Sequence, residues 1–470
     1  MKKFIRHPGF ILPVLATFFR FWSFFPPVID HDESTYLIIA RDLSQGSIYL
    51  KDVIDTKSIG IFWIYQLLEF LSFGSIGITR FLASLWIGIT ALFIFKFIFK
   101  TTQNPNASWF GSISYILIVS IFKNWGVSPN TEIYFNLFTL AAIYLILFNK
   151  TKHIEILSGL LLGFAFITKY VALSEAGVIG SFLIIQSFLQ NNLNRQLLFK
   201  LLKLLIGFAV PGCLMLTYFI HYKLLDQFFY FNFDVLSRYP SDITVSNSLI
   251  FIGDFCGRYF IWILLAIAGI LQLRKRSDLI SILFYIWILY DLIIIILPGK
   301  GFSHYFIQLM IPISLLAGFG SLDLFKMNAL IKNKRRIASV CIILIPLIFY
   351  FQKQSYYNRK TDITELYTFL SKELKPGERI YAGNSAHILY YLLNLKSPSP
   401  YIHASLLWNS EHLEALQINL NEEAVRILES KPRYILIKEP VADSTMLKKF
   451  LISYSETKLI GKKTHVLSNQ

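Results

Sequence analysis

The chain has 470 residues, of which 54% are hydrophobic, with 43 Phe and 25 Tyr and a mean hydropathy of +0.53. Soluble domains are less apolar than this, so the composition excludes an ordinary soluble protein and indicates a polytopic membrane protein. The formal net charge of +16 would favour a nucleic-acid partner in a soluble chain, so its distribution along the sequence decides what it means.

Apolar stretches of about 17 to 25 residues are long enough to cross a bilayer as helices. Eleven are predicted in chain order: 10–28, 80–99, 108–122, 131–148, 155–173, 175–191, 201–220, 259–273, 279–297, 304–323 and 337–352. With the N-terminus in the cytoplasm, the inner ends and loops carry eighteen Lys and Arg residues. The opposite side carries six, leaving the first outer loop and the tail aside. This asymmetry follows the positive-inside rule and accounts for much of the charge, so we predict no nucleic-acid partner.

The first apolar stretch ends in PPVIDHDESTY, which places Asp30, Asp32 and Glu33 at the exit of a span. No small-residue cleavage site follows the basic N-terminus, so we expect a retained span rather than a signal peptide. In this topology the acids face outside, where solvation at the membrane interface would be a simple structural explanation for them. The outer loop 29–79 also contains YLIIARDL and IFWIYQLLEFL, which we predict to be helices along the membrane surface that cover a cavity.

A second acid and several cations are predicted on the same side. Glu132 opens the fourth span, although a first-turn acid is also favoured by the helix dipole alone. The cations at outer ends are Arg20, Lys57, Arg80, Lys169, Lys300 and His304. Long basic side chains also anchor in the interface, which is the alternative for Lys57 and Arg80. Acids and cations together suit sugar transfer from a lipid phosphate, because cations hold phosphate and a carboxylate takes the acceptor's proton.

The tail from residue 353 changes in composition. Its helical patterns are TDITELYTFLSKEL, SEHLEALQI and NEEAVRILES, and its strand-like runs are ERIYAG, PRYILIKE and THVLS. This alternation predicts a small α/β domain outside the membrane, which divides the chain into 1–352, with a catalytic outer loop at 29–79, and 353–470. Tyr381, His387, Tyr390 and Tyr391 form either an aromatic core or a recognition surface. The three cysteines support neither a disulfide framework nor a zinc site.

The motif D-E-x-x-Y, residues 32–36, at the exit of the first span and before a long outer loop, resembles the glycosyltransferase C superfamily. The similarity is greatest to bacterial relatives of the protein O-mannosyltransferases and of the transferases that add aminoarabinose to lipid A. It continues through DTKSIGIFWIYQLLEFLSFGSIGITRFLASLWIG, GLLLGFAFITKY and HYFIQLMIPISLLAG, and covers most of residues 10–320.

The resemblance implies a helical polytopic membrane protein of the glycosyltransferase C (GT-C) fold, with about eleven transmembrane helices and a C-terminal extracytoplasmic α/β domain. It implies residence in the bacterial cytoplasmic membrane. The activity implied is transfer of a sugar from a polyprenyl-phosphate donor to a lipid, glycan or protein acceptor on the outer face.

The resemblance also implies roles for single residues. Asp32 would be the catalytic base, with Glu33 beside it, and Glu132 would be the acid of the second outer loop. Together with the cations found above, the predicted substrate-binding set is Arg20, Tyr36, Lys57, Arg80, Lys169, Lys300, His304 and Tyr305. Ser58-Ile59-Gly60 stands where the family has Pro-Pro-Leu, and Asn130 near where some members have Asp. Acceptor and metal requirement therefore stay open; we predict no cofactor and no metal ligands, and expect no essential divalent cation.

Two other classes of function remain as alternatives. A transporter or flippase of a lipid-linked saccharide would use the same acids and cations as a translocation path. It predicts paired discontinuous helices and internal symmetry, and neither is found in the sequence. A structural or assembly subunit would use the tail to bind a partner.

Overall fold

A computed structural model describes residues 7–238, 245–275, 278–297, 301–326, 344–359, 361–441, 445–461 and 463–469. Up to residue 326 these residues are mainly helical. The α-helices, numbered in chain order, are α1 (Pro8–Arg20), α2 (His31–Ser44), α3 (Ile59–Ser72), α4 (Ile76–Thr102), α5 (Pro105–Ile121), α6 (Thr131–Phe148), α7 (Ile154–Thr168), α8 (Leu173–Leu189), α9 (Arg195–His221), α10 (Leu225–Phe229), α11 (Val235–Arg238), α12 (Val245–Arg258), α13 (Phe260–Arg274), α14 (Asp278–Ile296) and α15 (Met310–Lys326). Short 3₁₀ turns at Phe21–Phe24, Lys123–Trp125, Tyr170–Ala172 and Ser303–Ile307 flank several of them.

Helix boundaries follow local sequence signals. α5 begins where Asn104 precedes Pro105, and the Asn104 side chain accepts hydrogen bonds from the backbone N–H groups of Asn106 and Ala107 at 2.9 and 3.1 Å. The cap satisfies two donors that the helix cannot, and proline at the first position has no N–H to satisfy. α3 ends at Phe73, whose φ of 52° is left-handed and closes the helix.

The chain is a multi-pass membrane protein. In the part that the structure describes, six helices are long and apolar enough to cross a bilayer: Ile76–Thr102, Thr131–Phe148, Tyr170–Leu189, Arg195–His221, Leu279–Ile296 and Ser303–Leu322. α12 and α13, bent by 90° at their junction, would make a seventh if they form one span. Ten of the predicted apolar stretches coincide with helices. The eleventh, 337–352, lies partly outside the described residues, and the predicted span count stays a prediction.

The chain forms two compact units. Unit 1 comprises Met1–Phe24, Gly77–Met215 and Ser241–Tyr357. Its helices approach closely at glycines: a Cβ on Gly159 would lie 2.0 Å from the carbonyl oxygen of Leu204. α7 and α9 therefore pack backbone against backbone there, as small residues allow in membrane helices.

Unit 2 comprises Phe25–Ile76, Leu216–Pro240 and Asn358–Gln470, and within it α2 packs on α3. The predicted helices of the outer loop are confirmed. Their placement along the membrane surface over a cavity stays a prediction. Residues 33–42 of α2 are all buried. The polar residues of this stretch are covered too, since Arg41 pairs with Asp42 at 2.7 Å and donates to the carbonyl oxygens of Tyr390 and Leu395.

The tail within unit 2 contains helices and one sheet. The helices are Asp362–Glu373, Ile388–Leu392, Ser410–Leu416, Leu420–Glu429 and Thr445–Phe450, and the strands are β1 (Ile380–Tyr381), β2 (Tyr434–Lys438), β3 (Tyr454–Ile460) and β4 (Thr464–Asn469). The sheet order is β1-β2-β4-β3, with β1 parallel to β2 and the other pairs antiparallel. β3 is not predicted by the sequence, because four consecutive residues within it are exposed and the apolar alternation of a strand is absent.

Unit 2 thus unites most of the predicted outer loop with the tail. The predicted domain division at residue 352 stays a prediction.

Candidate active site

Asp32 is the second residue of α2. The Asp30 side chain caps this helix and accepts a hydrogen bond from the backbone N–H of Asp32 at 3.4 Å. Negative charge at a helix N-terminus is favoured by the helix dipole. The Asp32 side chain is 16% exposed, whereas the neighbouring Glu33 is buried. Of the two acids in the D-E-x-x-Y motif, Asp32 is therefore the one that solvent reaches.

Lys57 lies against Asp32. Its Nζ is 2.9 Å from Asp32 Oδ1 and 3.6 Å from Oδ2 of Asp55, whose carboxylate is buried. The ammonium also lies 5.9 Å from the centre of the Tyr36 ring. The Tyr49 hydroxyl, which lies 2.7 Å from the Asp55 carbonyl oxygen and 2.5 Å from that of Lys57, holds this part of the loop. The structure thus brings together Asp32, Tyr36 and Lys57 from the predicted set.

His403 is a member of this site that the sequence analysis missed. Its Nε2 lies 3.3 Å from Asp32 Oδ1, while its Nδ1 is 3.2 Å from the backbone N of Ser405 and 2.7 Å from Ser405 Oγ. A backbone N–H can only donate, so Nδ1 carries a lone pair and the ring proton lies on Nε2, the nitrogen that faces Asp32. The only sequence signal is local, a cap before the short turn Ala404–Leu406. We call Asp32, Asp55, Lys57 and His403 the Asp32 cluster.

Backbone pairing explains why these residues meet. The Ile54 N–H donates to the Pro400 carbonyl at 2.7 Å, and the Ile402 N–H donates to the Ile54 carbonyl at 3.1 Å. Ile54 and Tyr401 form an isolated parallel bridge. Because the two segments run in the same direction, the residues that follow each of them, Asp55 to Lys57 and His403, lie side by side.

A second histidine of the tail, His387, binds the first turn of α2. Its Nε2 donates to the His31 carbonyl at 3.1 Å and lies 3.2 Å from Thr35 Oγ1. Burial, with smaller contributions from His31 and His403, lowers the pKa of His387 well below its usual range. Neutral His387 therefore fixes the helix end that carries Asp32.

The tail's aromatic cluster is core. Tyr381, His387, Tyr390 and Tyr391 are all less than a tenth exposed. Burial raises the pKa of Tyr390 to about 12, and its hydroxyl accepts a hydrogen bond from the Ala382 N–H at 2.9 Å. The alternative of a recognition surface at these residues is wrong, because their side chains are enclosed by unit 2.

In unit 1 the structure joins four other predicted residues. Glu132, the second residue of α6, is fully buried and forms an ion pair with Lys169 at the end of α7. Thr131 Oγ1 donates to Glu132 at 3.1 Å. The Lys169 ammonium lies 4.2 Å from the centre of the Tyr305 ring, which contacts the His304 ring at 4.8 Å. The Glu132 and Lys169 pair is thus contacted by the Thr131 hydroxyl and the Tyr305 ring.

Two of the remaining predicted cations, Arg20 and Arg80, contact backbone carbonyl groups. Arg20 is buried and donates to the carbonyl oxygens of Val119, Gly126 and Val127. Arg80, also buried, donates to the Ser23 carbonyl at 2.9 Å. Lys300 lies outside the described residues. The substrate-binding roles of these three residues stay predictions.

Among the described residues, no group of three or more His, Cys, Asp or Glu side chains could hold a metal ion. Our expectation that no divalent cation is essential concerns the reaction, so it stays a prediction.

No family model and no curated protein matches the sequence. ArnT from Cupriavidus metallidurans bound to undecaprenyl phosphate is similar in structure, with a TM-score of 0.66 over 97% of each chain and 12% identity. Its apo form gives the same TM-score. AglB, an oligosaccharyltransferase from Archaeoglobus fulgidus in complex with an inhibitory peptide and a dolichol-phosphate, has a TM-score of 0.56 at 11% identity. This match covers 92% of the present chain and 69% of AglB.

These neighbours are GT-C superfamily members. The chain has the GT-C fold. At 11 to 12% identity the likeness concerns the fold alone, and it confirms the predicted fold class. The similarity to ArnT extends over 97% of the present chain.

Proposed function

We propose that this protein transfers a sugar from a polyprenyl-phosphate donor to an acceptor hydroxyl, with Asp32 as general base. The observation that carries the proposal is the Asp32 carboxylate itself. It is accessible to solvent, paired with Lys57 at 2.9 Å and 3.3 Å from His403 Nε2, in a chain of the GT-C fold. A base must be within reach of its substrate and in its ionised form, and both donors favour that form.

The reaction balances with the residues at hand. The acceptor hydroxyl gives its proton to the Asp32 carboxylate while its oxygen bonds to the anomeric carbon of the sugar. The bond between that carbon and the phosphate oxygen breaks, and polyprenyl phosphate leaves with the electron pair. The total charge is unchanged, but one negative charge moves from the carboxylate to the leaving phosphate. The site therefore has to orient the reactants and hold a cation beside that phosphate.

The solved neighbours support the class of donor. ArnT is bound to undecaprenyl phosphate and AglB to a dolichol-phosphate, and both ligands are polyprenyl phosphates. We extend this class to the present chain. The cations for the donor phosphate are drawn from the predicted set, with Lys57 first because its ammonium adjoins the proposed base. The transferred sugar, a hexose or a pentose, stays open, as does the choice of lipid, glycan or protein acceptor.

We further propose that no divalent cation is essential, because the Lys57 ammonium already places a positive charge 2.9 Å from the base. Transfer should persist in excess EDTA and should not rise when Mg²⁺ or Mn²⁺ is added back. Loss of transfer in EDTA that either ion restores would contradict this.

We propose a cytoplasmic-membrane location with the N-terminus inside and the tail outside, on the charge asymmetry of the loops. Lys372 in the tail and Lys100 at an inner end are both exposed, so each can be replaced with Cys in a chain lacking native cysteines. An impermeant maleimide should label Lys372→Cys in intact spheroplasts and Lys100→Cys only after permeabilisation. The reverse pattern would invert the topology.

The activity is tested by reconstituting the full chain with radiolabelled polyprenyl-phosphate sugars and an envelope extract as acceptor. Wild type should move label to an acceptor, and Asp32→Asn should not, although it inserts and folds. Asp52→Asn is the matched control, since Asp52 is an exposed acid of the same loop outside the Asp32 cluster. It should retain activity.

Equal transfer by wild type and Asp32→Asn would overturn the base assignment. Movement of lipid-linked sugar across the vesicle membrane without modification of any acceptor would instead favour the transporter alternative.

A further inference from the structure

We infer that His403 is a positioning residue for the proposed base, so that the C-terminal tail supplies a functional part of the active site. The inference rests on the proposed function. It assigns to the tail a role beyond folding, and it names the atom through which that role acts.

The geometry fixes both ends of the imidazole. Nδ1 accepts from the backbone N–H of Ser405 at 3.2 Å, and the Ser405 hydroxyl lies 2.7 Å from the same nitrogen. Nε2 faces Asp32 Oδ1 at 3.3 Å. Since the ring proton must then lie on Nε2, the tautomer and the ring orientation are both set by the tail.

Two donors therefore act on one oxygen of Asp32. Lys57 Nζ and His403 Nε2 both lie within 3.3 Å of Oδ1, and they come from separate segments of unit 2. Donors from two directions hold the carboxylate plane in one orientation, which a lysine on a flexible stem does less well alone.

The surroundings hold His403 in place. The bridge between Ile54 and Tyr401 anchors the segment before it, and His387 binds the first turn of α2 from the same tail. The His387 and His403 rings lie 5.8 Å apart. The tail thus contacts the helix start and the base itself, so displacement of one contact would move the other.

Two substitutions at one position separate positioning from capping. His403→Asn keeps an acceptor near the place of Nδ1, and Asn is a preferred N-cap residue, but its side chain is too short to reach Asp32. His403→Gln carries an N–H at the reach of Nε2 and lacks the cap geometry. We expect His403→Asn to lower kcat about tenfold or more with little change in KM, and His403→Gln to recover most of it.

A measurement independent of activity tests the same contact. In a double-mutant cycle, the Tm of the full chain is compared for wild type, Asp32→Asn, His403→Asn and the double variant. Residues in contact give non-additive shifts, and we expect them here.

The outcomes distinguish this inference from the proposed function. Wild-type turnover by His403→Asn together with a loss in His403→Gln would show that the histidine only caps a turn, and would overturn the inference while Asp32→Asn still tests the base. If wild type transfers no sugar, the proposed function fails, and only the double-mutant cycle of Tm values then tests the contact between His403 and Asp32. Additive shifts in Tm then overturn the contact, and non-additive shifts support it.

Discussion

Two acid and lysine pairs among the predicted site residues, one in each unit, differ in their exposure to solvent. In unit 2 the side chains of Asp32 and Lys57 are 16% and 25% exposed. In unit 1 Glu132 is fully buried and Lys169 is 17% exposed beside the Tyr305 ring. Each acid is the second residue of its helix, so sequence context alone makes them look alike.

The difference lies in what surrounds each carboxylate. Asp32 shares Lys57 with Asp55, and His403 Nε2 lies 3.3 Å from it. The cluster therefore contains two carboxylates and one lysine. Glu132 has its own lysine and the Thr131 hydroxyl. A carboxylate that solvent and substrate can reach suits proton transfer. A fully buried ion pair is costly to break, although the intact pair adds little net stability to the fold.

Exchange of each carboxylate for its amide gives the largest expected contrast. Asp32→Asn should lower the transfer rate by about 10² to 10⁴, the usual contribution of a general base, and leave the Tm close to wild type. Glu132→Gln should lower the Tm, because it leaves the lysine beside an uncharged partner. Transfer assays and thermal unfolding in detergent measure both. A Glu132→Gln protein with normal Tm and no transfer would give Glu132 the catalytic role that the sequence predicts.

Removal of the lysines should separate the pairs by stability. Lys169→Met leaves the fully buried Glu132 carboxylate without its partner and should cost about 3 to 5 kcal/mol in the free energy of unfolding. Lys57→Met should cost less, because solvent reaches Asp32 and partly screens it, although the buried Asp55 carboxylate also loses the ammonium 3.6 Å away. Thermal or denaturant unfolding of both variants provides the measurement.

The double variant Glu132→Gln/Lys169→Met is the control. It removes both charges and should recover part of the lost stability. An equal cost for the two single lysine variants would erase the distinction between the pairs.

The sequence predicted what depends on local pattern. Apolar length located the helices, and the D-E-x-x-Y motif with Lys57 predicted three residues that the structure brings together. Local sequence patterns do not show which distant segments of the chain pair with each other in the fold. His403 lies beside Asp32 because Ile54 pairs with Tyr401. No sequence pattern in either segment predicts that bridge. Asp55, two residues from Lys57, was within reach of sequence reasoning, although its burial was not.

A pH experiment tests whether the contact between the tail and the first turn of α2 depends on neutral His387. Because burial lowers its folded pKa below the ordinary 6.5, the unfolded chain binds its proton more readily. The contribution of His387 to stability is therefore complete above pH 6.5 and declines below it, by about 1.4 kcal/mol per pH unit at most. The titratable groups that act on it are His31, His403 and Asp32.

The measured quantity is the loss of Tm between pH 7.5 and 5.5, which should be smaller in His387→Gln than in wild type. Comparison of variants is needed because burial raises the pKa of Asp42, and that acid acts in the opposite direction. His412→Gln should behave like His387→Gln, since burial lowers the pKa of His412 too. Identical losses in wild type and His387→Gln would show that His387 does not couple pH to folding.

The smallest expected effect concerns a buried acid in unit 1 for which the described residues provide no lysine partner. Both carboxylate oxygens of Asp291, in α14, are buried and have no hydrogen-bond partner among the described residues, and Glu175 of α8 acts on it electrostatically. Asp291→Asn removes no ion pair that the described residues form, so it should leave the Tm unchanged or slightly higher, since burial of a carboxyl group without a hydrogen-bond partner is costly. Measured beside Glu132→Gln, it shows whether burial or pairing makes Glu132 sensitive. A drop in Tm as large as that of Glu132→Gln would mean that burial of an acid in this unit matters by itself, and the contrast between the two acid and lysine pairs would then reduce to exposure alone.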